Sequence, residues 1–93
     1  LEAEEAHRLG VLNRVSPAAD LEKETMELAR KIANGPPIAI RLAKMQLYRG
    51  MHTELDAAFD TAAACQAICM TSEDHKEAVA AFQQKREPIF KGK

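Results

Sequence analysis

The sequence predicts a mainly α chain of four or five helices with at most one short strand. Three observations carry that reading. Apolar residues recur at spacings of three, four and seven, the period of a helix face. Three of the four glycines stand where such runs stop, and all four prolines stand where a helix opens or ends. Hydroxyl residues followed by acids, as in Thr53-Glu54-Leu55-Asp56 and Thr71-Ser72-Glu73-Asp74, mark helix starts.

The elements follow in order. Glu2 to Leu9 is a short helical segment closed by Gly10, and Val11 to Val15 suits a short extended piece. Ser16-Pro17 turns the chain into a second helix, because proline suits a first turn that needs no donor. Leu21, Leu28 and Ile32 form its apolar stripe, which runs from about Ala19 to Asn34. Gly35-Pro36-Pro37 ends that helix and opens a third, lined by Ile38, Leu42, Met45 and Leu47-Tyr48 and closed by Gly50. A fourth helix, capped at Thr53, carries Leu55, Phe59, Ala62, Ala63, Gln66 and Cys69-Met70, and its alanines allow close approach of a neighbour. The last runs from the Ser72 cap to about Arg86, with Val79 and Phe82 on its apolar side and Pro88 as its stop.

Ninety-three residues make one small domain at most. Alanine is abundant and aromatic residues are 4%, so burial per residue is modest and contacts beyond this chain are expected. A net charge of −1 argues against a general nucleic-acid binder. The charge is uneven. Residues 1–28 hold seven acids against three bases, whereas residues 83–93 hold Lys85, Arg86, Lys91 and Lys93 against Glu87 alone. Solvated faces account for such asymmetry, and a specific anion at the basic end is the alternative. No apolar run reaches the eighteen residues of a membrane span. The acidic, polar opening segment resembles no signal or transit peptide, and a chain opening on Leu1 suggests a truncated or processed product.

No residue pattern here makes an active site by itself. Glu4-Glu5 and Glu73-Asp74 each sit where a helix begins, so dipole capping accounts for them. His7, His52 and His75 are isolated. Cys65 and Cys69 share a helix face, where a disulfide would distort the helix and zinc would lack two ligands, so two small buried thiols in a reducing compartment are expected. No glycine-rich loop offers a phosphate cradle or an oxyanion hole.

Read together, AEEAHRLGVLNRVSP, ELARKIANGPPIAIRLAK and SEDHKEAVAAFQQKREPIFKGK resemble the crotonase (enoyl-CoA hydratase/isomerase) superfamily. The first is similar to its short helix and exit turn, with Gly10-Val11-Leu12 where Gly-Leu-Val is commoner. The last is similar to the ending SED-x-x-E-x-x-x-AF-x-x-KR-x-P-x-F-x-G. The resemblance implies the C-terminal helical, trimerising region of a crotonase-like α/β fold: residues 1–15 would end the core spiral and make the exit turn, and residues 16–93 would form the helical region that assembles subunits and covers acyl-CoA. The family's core supplies two backbone N–H groups as an oxyanion hole and, in the hydratases, two glutamates as acid and base; none of these is expected in this chain.

The resemblance carries over two cofactor-binding candidates, Phe82 against bound CoA and Lys85 at its phosphate end. Apolar pantetheine next to anionic nucleotide suits a phenylalanine one turn before a lysine. A core-facing Phe82 and a solvated Lys85 are the alternatives from periodicity, and Arg86 is either an assistant or structural. Implied further are a coenzyme A thioester as substrate with no prosthetic group, no catalytic residue and no metal in this chain, and a homo-oligomeric parent (trimer or dimer of trimers). That parent would have no membrane span, no nucleic-acid partner and a bacterial cytoplasmic or mitochondrial matrix location. Hydration of trans-2-enoyl-CoA to 3-hydroxyacyl-CoA is the reaction favoured for it, as the family's commonest. The competing reading is a non-catalytic helical oligomerisation module from a truncated gene of the same family.

Overall fold

A computed structural model describes all 93 residues as five helices with no strand: α1 (Ala3–Arg8), α2 (Leu21–Ala33), α3 (Pro37–Gly50), α4 (Leu55–Thr71) and α5 (Glu73–Gln84). They fall into two units, Leu1–Ile32 and Ala33–Lys93.

In the first unit, Gly10 takes a φ of +77°, and the chain folds back so that the Val11 N–H donates to the Ala6 carbonyl at 2.9 Å. Ala6 is buried under that turn. The His7 Nδ1–H donates to the Leu12 carbonyl at 2.9 Å, which makes His7 a brace for the loop. Val11 to Val15 pair with no strand. Helix α2 begins at Leu21 rather than at Pro17. The Pro17 carbonyl accepts the Asp20 N–H at 2.9 Å, so the proline opens a tight turn, and the Asp20 carbonyl then starts the helix by accepting from Glu24. The Ser16 hydroxyl donates to the Glu24 carboxylate, which also pairs with Arg14 at 3.3 Å, tying loop to helix. The predicted stripe of Leu21, Leu28 and Ile32 lies open to solvent.

In the second unit, Pro36 occupies the N-cap of α3 and Pro37 its first turn, as expected. Ile38, Leu42 and Met45 turn inward, whereas Leu47 and Tyr48 turn out. Thr53 does not cap α4: its hydroxyl donates to the Arg49 carbonyl at 2.8 Å and closes α3 instead. Helix α4 packs against both α3 and α5. Its inner line is Ala58, Thr61, Ala62, Cys65 and Cys69, with both thiols free, Cys65 buried and Cys69 half-buried.

The apolar side of α5 corrects the expectation from periodicity. Val79 and Phe82 face outward, and Phe82 is 86% exposed. The residues turned inward are Asp74, Ala78 and Ala81, the last 1% exposed. Alanines let the backbones of two helices come close, and such a seam has no room for a ring or a branched side chain. Size, rather than hydrophobicity, decides which face is buried.

Ser72 joins α4 to α5 as expected of a cap. Its hydroxyl accepts from the His75 N–H at 3.1 Å and donates to the Cys69 carbonyl at 2.6 Å, serving both helix ends at once. Ser72→Ala is expected to cost about 1–2 kcal/mol of stability, measurable as a lower midpoint in urea denaturation with an unchanged slope.

Candidate functional site

The chemically dense part of the molecule is the end of α5 and the tail that follows. Helix α5 closes on Lys85, whose backbone is left-handed (φ 53°, ψ 42°), and the Arg86 N–H reaches back to the Ala81 carbonyl at 3.0 Å. This is the six-to-one closure that usually places glycine in the left-handed position. Lysine there carries a conformational cost of about 1–2 kcal/mol. Phe82 stands one turn earlier with its ring in solvent, so an exposed apolar surface and an exposed cation share one helix end.

Residues 86–93 have no helix or strand, yet their backbone is held at named points. The Asp74 carboxylate, on a residue only 3% exposed, accepts the Lys91 N–H at 2.7 Å and the Gly92 N–H at 2.8 Å. The Asp74 N–H in turn donates to the Lys93 carbonyl at 3.2 Å. Glu77, one turn later, accepts two bonds from the Arg86 guanidinium at 2.6 and 3.0 Å and the Ile89 N–H at 2.9 Å. Glu73-Asp74 was expected to serve the helix dipole, but the Asp74 side chain is committed to the tail. The Arg86 guanidinium is engaged by Glu77, the kind of contact its structural reading expects.

Cys69, Ser72, Asp74 and His75 line one cavity of about 110 Å³ with Pro36, Ile38 and Phe90, but they form no nucleophilic relay. The Ser72 hydroxyl is spent on backbone groups, and both Asp74 oxygens are taken by the tail. No group of three or more histidine, cysteine or acidic side chains is arranged to hold a metal, and no helix is long and apolar enough to cross a membrane.

A family model described as enoyl-CoA hydratase/isomerase matches residues 1–93. The chain belongs to the enoyl-CoA hydratase/isomerase family. Among relatives of this family, it is 41% identical over 93 residues to the enoyl-CoA isomerase/hydratase fer4 of Mycosarcoma maydis, covering 100% of this chain and 34% of that protein. It is 35% identical over 86 residues to the short-chain-enoyl-CoA hydratase of Clostridium acetobutylicum, covering 92% of this chain and 33% of the relative. The crystal structure of enoyl-CoA hydratase from Bacillus anthracis matches with a TM-score of 0.93 at 34% identity, over 98% of this chain and 35% of that one. The chain thus spans about a third of the length of the relatives it matches.

Within this enoyl-CoA hydratase/isomerase-family chain, Phe82 and Lys85 are neighbours at the open end of α5, while Lys91 and Lys93 belong to the tail. Sequence reasoning missed Asp74 and Glu77 as the residues that hold the tail. Their spacing of three, one turn apart before a basic stretch, was the available signal, but the partners of Asp74 are backbone amides with no sequence signature.

Hydrogen bonds from Arg86 and from the Ile89 N–H draw the Glu77 carboxyl down to about 2 from an ordinary 4.5. The Ser16 hydroxyl, with Arg14, lowers Glu24 as well. A carboxyl lowered on folding stabilises fully above its ordinary pKa, and that contribution is lost as pH falls toward the folded value. The tail contact at Glu77 is therefore expected to weaken from about pH 4.5 down to about pH 2. Followed by NMR, the Ile89 amide shift should titrate with a midpoint near 2, and Glu77→Gln should abolish that titration.

Proposed function

We propose that this chain is the C-terminal helical part of an enoyl-CoA hydratase/isomerase acting on acyl-CoA thioesters, with hydration of trans-2-enoyl-CoA to 3-hydroxyacyl-CoA as the parent reaction. In this reading, residues 1–15 end the core spiral and residues 16–93 make the helical region, and the catalytic groups lie elsewhere in the parent. Phe82 lies against the CoA moiety and Lys85 pairs with its phosphates. The relatives' names, which specify enoyl-CoA chemistry, support the substrate class. A parent in the bacterial cytoplasm or mitochondrial matrix fits relatives that include a Bacillus subtilis protein and a mitochondrial human one.

The observation that carries the site is Lys85. A left-handed helix cap favours glycine, and lysine in that place costs stability that Phe82, 86% exposed beside it, does nothing to recover. A strained residue next to an uncovered ring is accounted for by a ligand with an anionic and an apolar part. Lys85→Gly separates the two roles: it should raise stability by about 1 kcal/mol through relief of the left-handed strain. It should also weaken CoA binding by about tenfold through loss of a charge-assisted contact. Denaturation and calorimetric titration of the same variant read both, and unchanged CoA affinity would remove Lys85 from the site.

A second reading rests on α4, where Leu55, Phe59, Ile68 and Met70 stay exposed along a helix already packed on its other sides. Apolar surface of that extent favours subunit contact, either in the trimeric parent or in a stand-alone oligomerisation module. Light scattering distinguishes the readings: the module forms oligomers without the parent core, whereas a monomer at high concentration excludes it. The 93-residue chain by itself is expected to show no hydratase turnover, which an absorbance assay at the enoyl thioester band checks.

A further inference from the structure

We propose that residues 86–93 form a strap hinged at Lys85, which the Asp74 and Glu77 carboxylates lock shut and which opens without unfolding the helices of its unit. The strap has no ladder of its own. The bonded amides of Ile89, Lys91 and Gly92 all donate to those two side chains, and the bonds lie 12, 17 and 18 residues apart in sequence. Removing either carboxylate leaves its amides no alternative partner within the strap.

The backbone is left-handed near both ends of the segment. Lys85 at φ 53° and Gly92 at φ 73° are two of the three left-handed residues in the chain. At Gly92 the strap meets the start of α3: a Cβ there would lie 3.7 Å from the Pro37 ring. Between these points Phe90 contributes to the wall of the cavity that also contains Cys69 and Ile38. Closure thus joins the tail to α3 and α5, and opening withdraws Phe90 from the cavity wall.

The two locks differ in setting. Asp74 is buried and Glu77 meets solvent, so the half of the strap near Ile89 opens first and the half near Gly92 holds longest. A charge-assisted hydrogen bond inside the protein holds an amide closed more firmly than the same bond facing water.

Residue-resolved amide hydrogen exchange on the full chain tests this. In the wild type, Ile89, Lys91 and Gly92 should exchange about ten- to a hundredfold more slowly than an unstructured tail, with Ile89 the fastest of the three. Glu77→Ala should bring Ile89 to the unstructured rate while the amides of α3 and α4 stay as they were. Asp74→Ala should do the same for Lys91 and Gly92 and should speed alkylation of Cys69. Where Asp74→Ala fails to fold, the solvent-facing Glu77→Ala still decides. An unprotected tail in the wild type, or acceleration of α3 and α4 together with Ile89 in Glu77→Ala, overturns the proposal.

Discussion

The Asp74 carboxylate meets the amides of Lys91 and Gly92 in a place where almost no water reaches it. A buried carboxylate is costly unless its oxygens are bonded, and a segment without secondary structure must find partners for its amides elsewhere. Each requirement answers the other. The arrangement also explains why Gly92 must be glycine-like in backbone and why the chain turns at Lys85, since only a reversed tail presents those amides to α5. Glu77 repeats the device one turn along, with Arg86 bringing a countercharge.

The second constraint is size at the α4–α5 seam. Ala81 is packed almost completely, and Cys65 is the buried residue of α4. The buried side chains on these two helices are small, and the large apolar ones, Phe82, Val79, Phe59 and Met70, lie outside. That outer apolar surface matches the role proposed for the region, because it is available to other parts of a larger assembly and to a ligand with an apolar arm. Independent stability is the cost: no large side chain in the chain is fully buried.

Much of the fold was legible in the sequence because it depends on local chemistry. The helix breaks at Gly10, Pro36-Pro37 and Ser72 follow from backbone freedom, a missing donor and a hydroxyl cap, each readable one residue at a time. Pro17 was misleading for an equally local reason, since the same φ serves a tight turn as well as a helix start. Thr53 served the helix before it rather than the one after, and spacing alone does not distinguish those partners. At the candidate site, the position of Phe82 and Lys85 on one helix end was legible, but the left-handed backbone of Lys85 was not, because lysine has no preference for it.

By itself, then, the sequence determined a mainly α chain, its helix boundaries to within a few residues, and its likeness to one family, because capping, breaking and motif spacing act over short ranges. Tertiary structure alone decided which face of α5 is inside and what Asp74 and Glu77 bind. Helical periodicity distinguishes two faces without saying which one a neighbour can approach, and that depends on the volume of the residues across the seam. The grip on the tail joins groups far apart in sequence through backbone amides, which every residue but proline carries, so no residue type could have announced it.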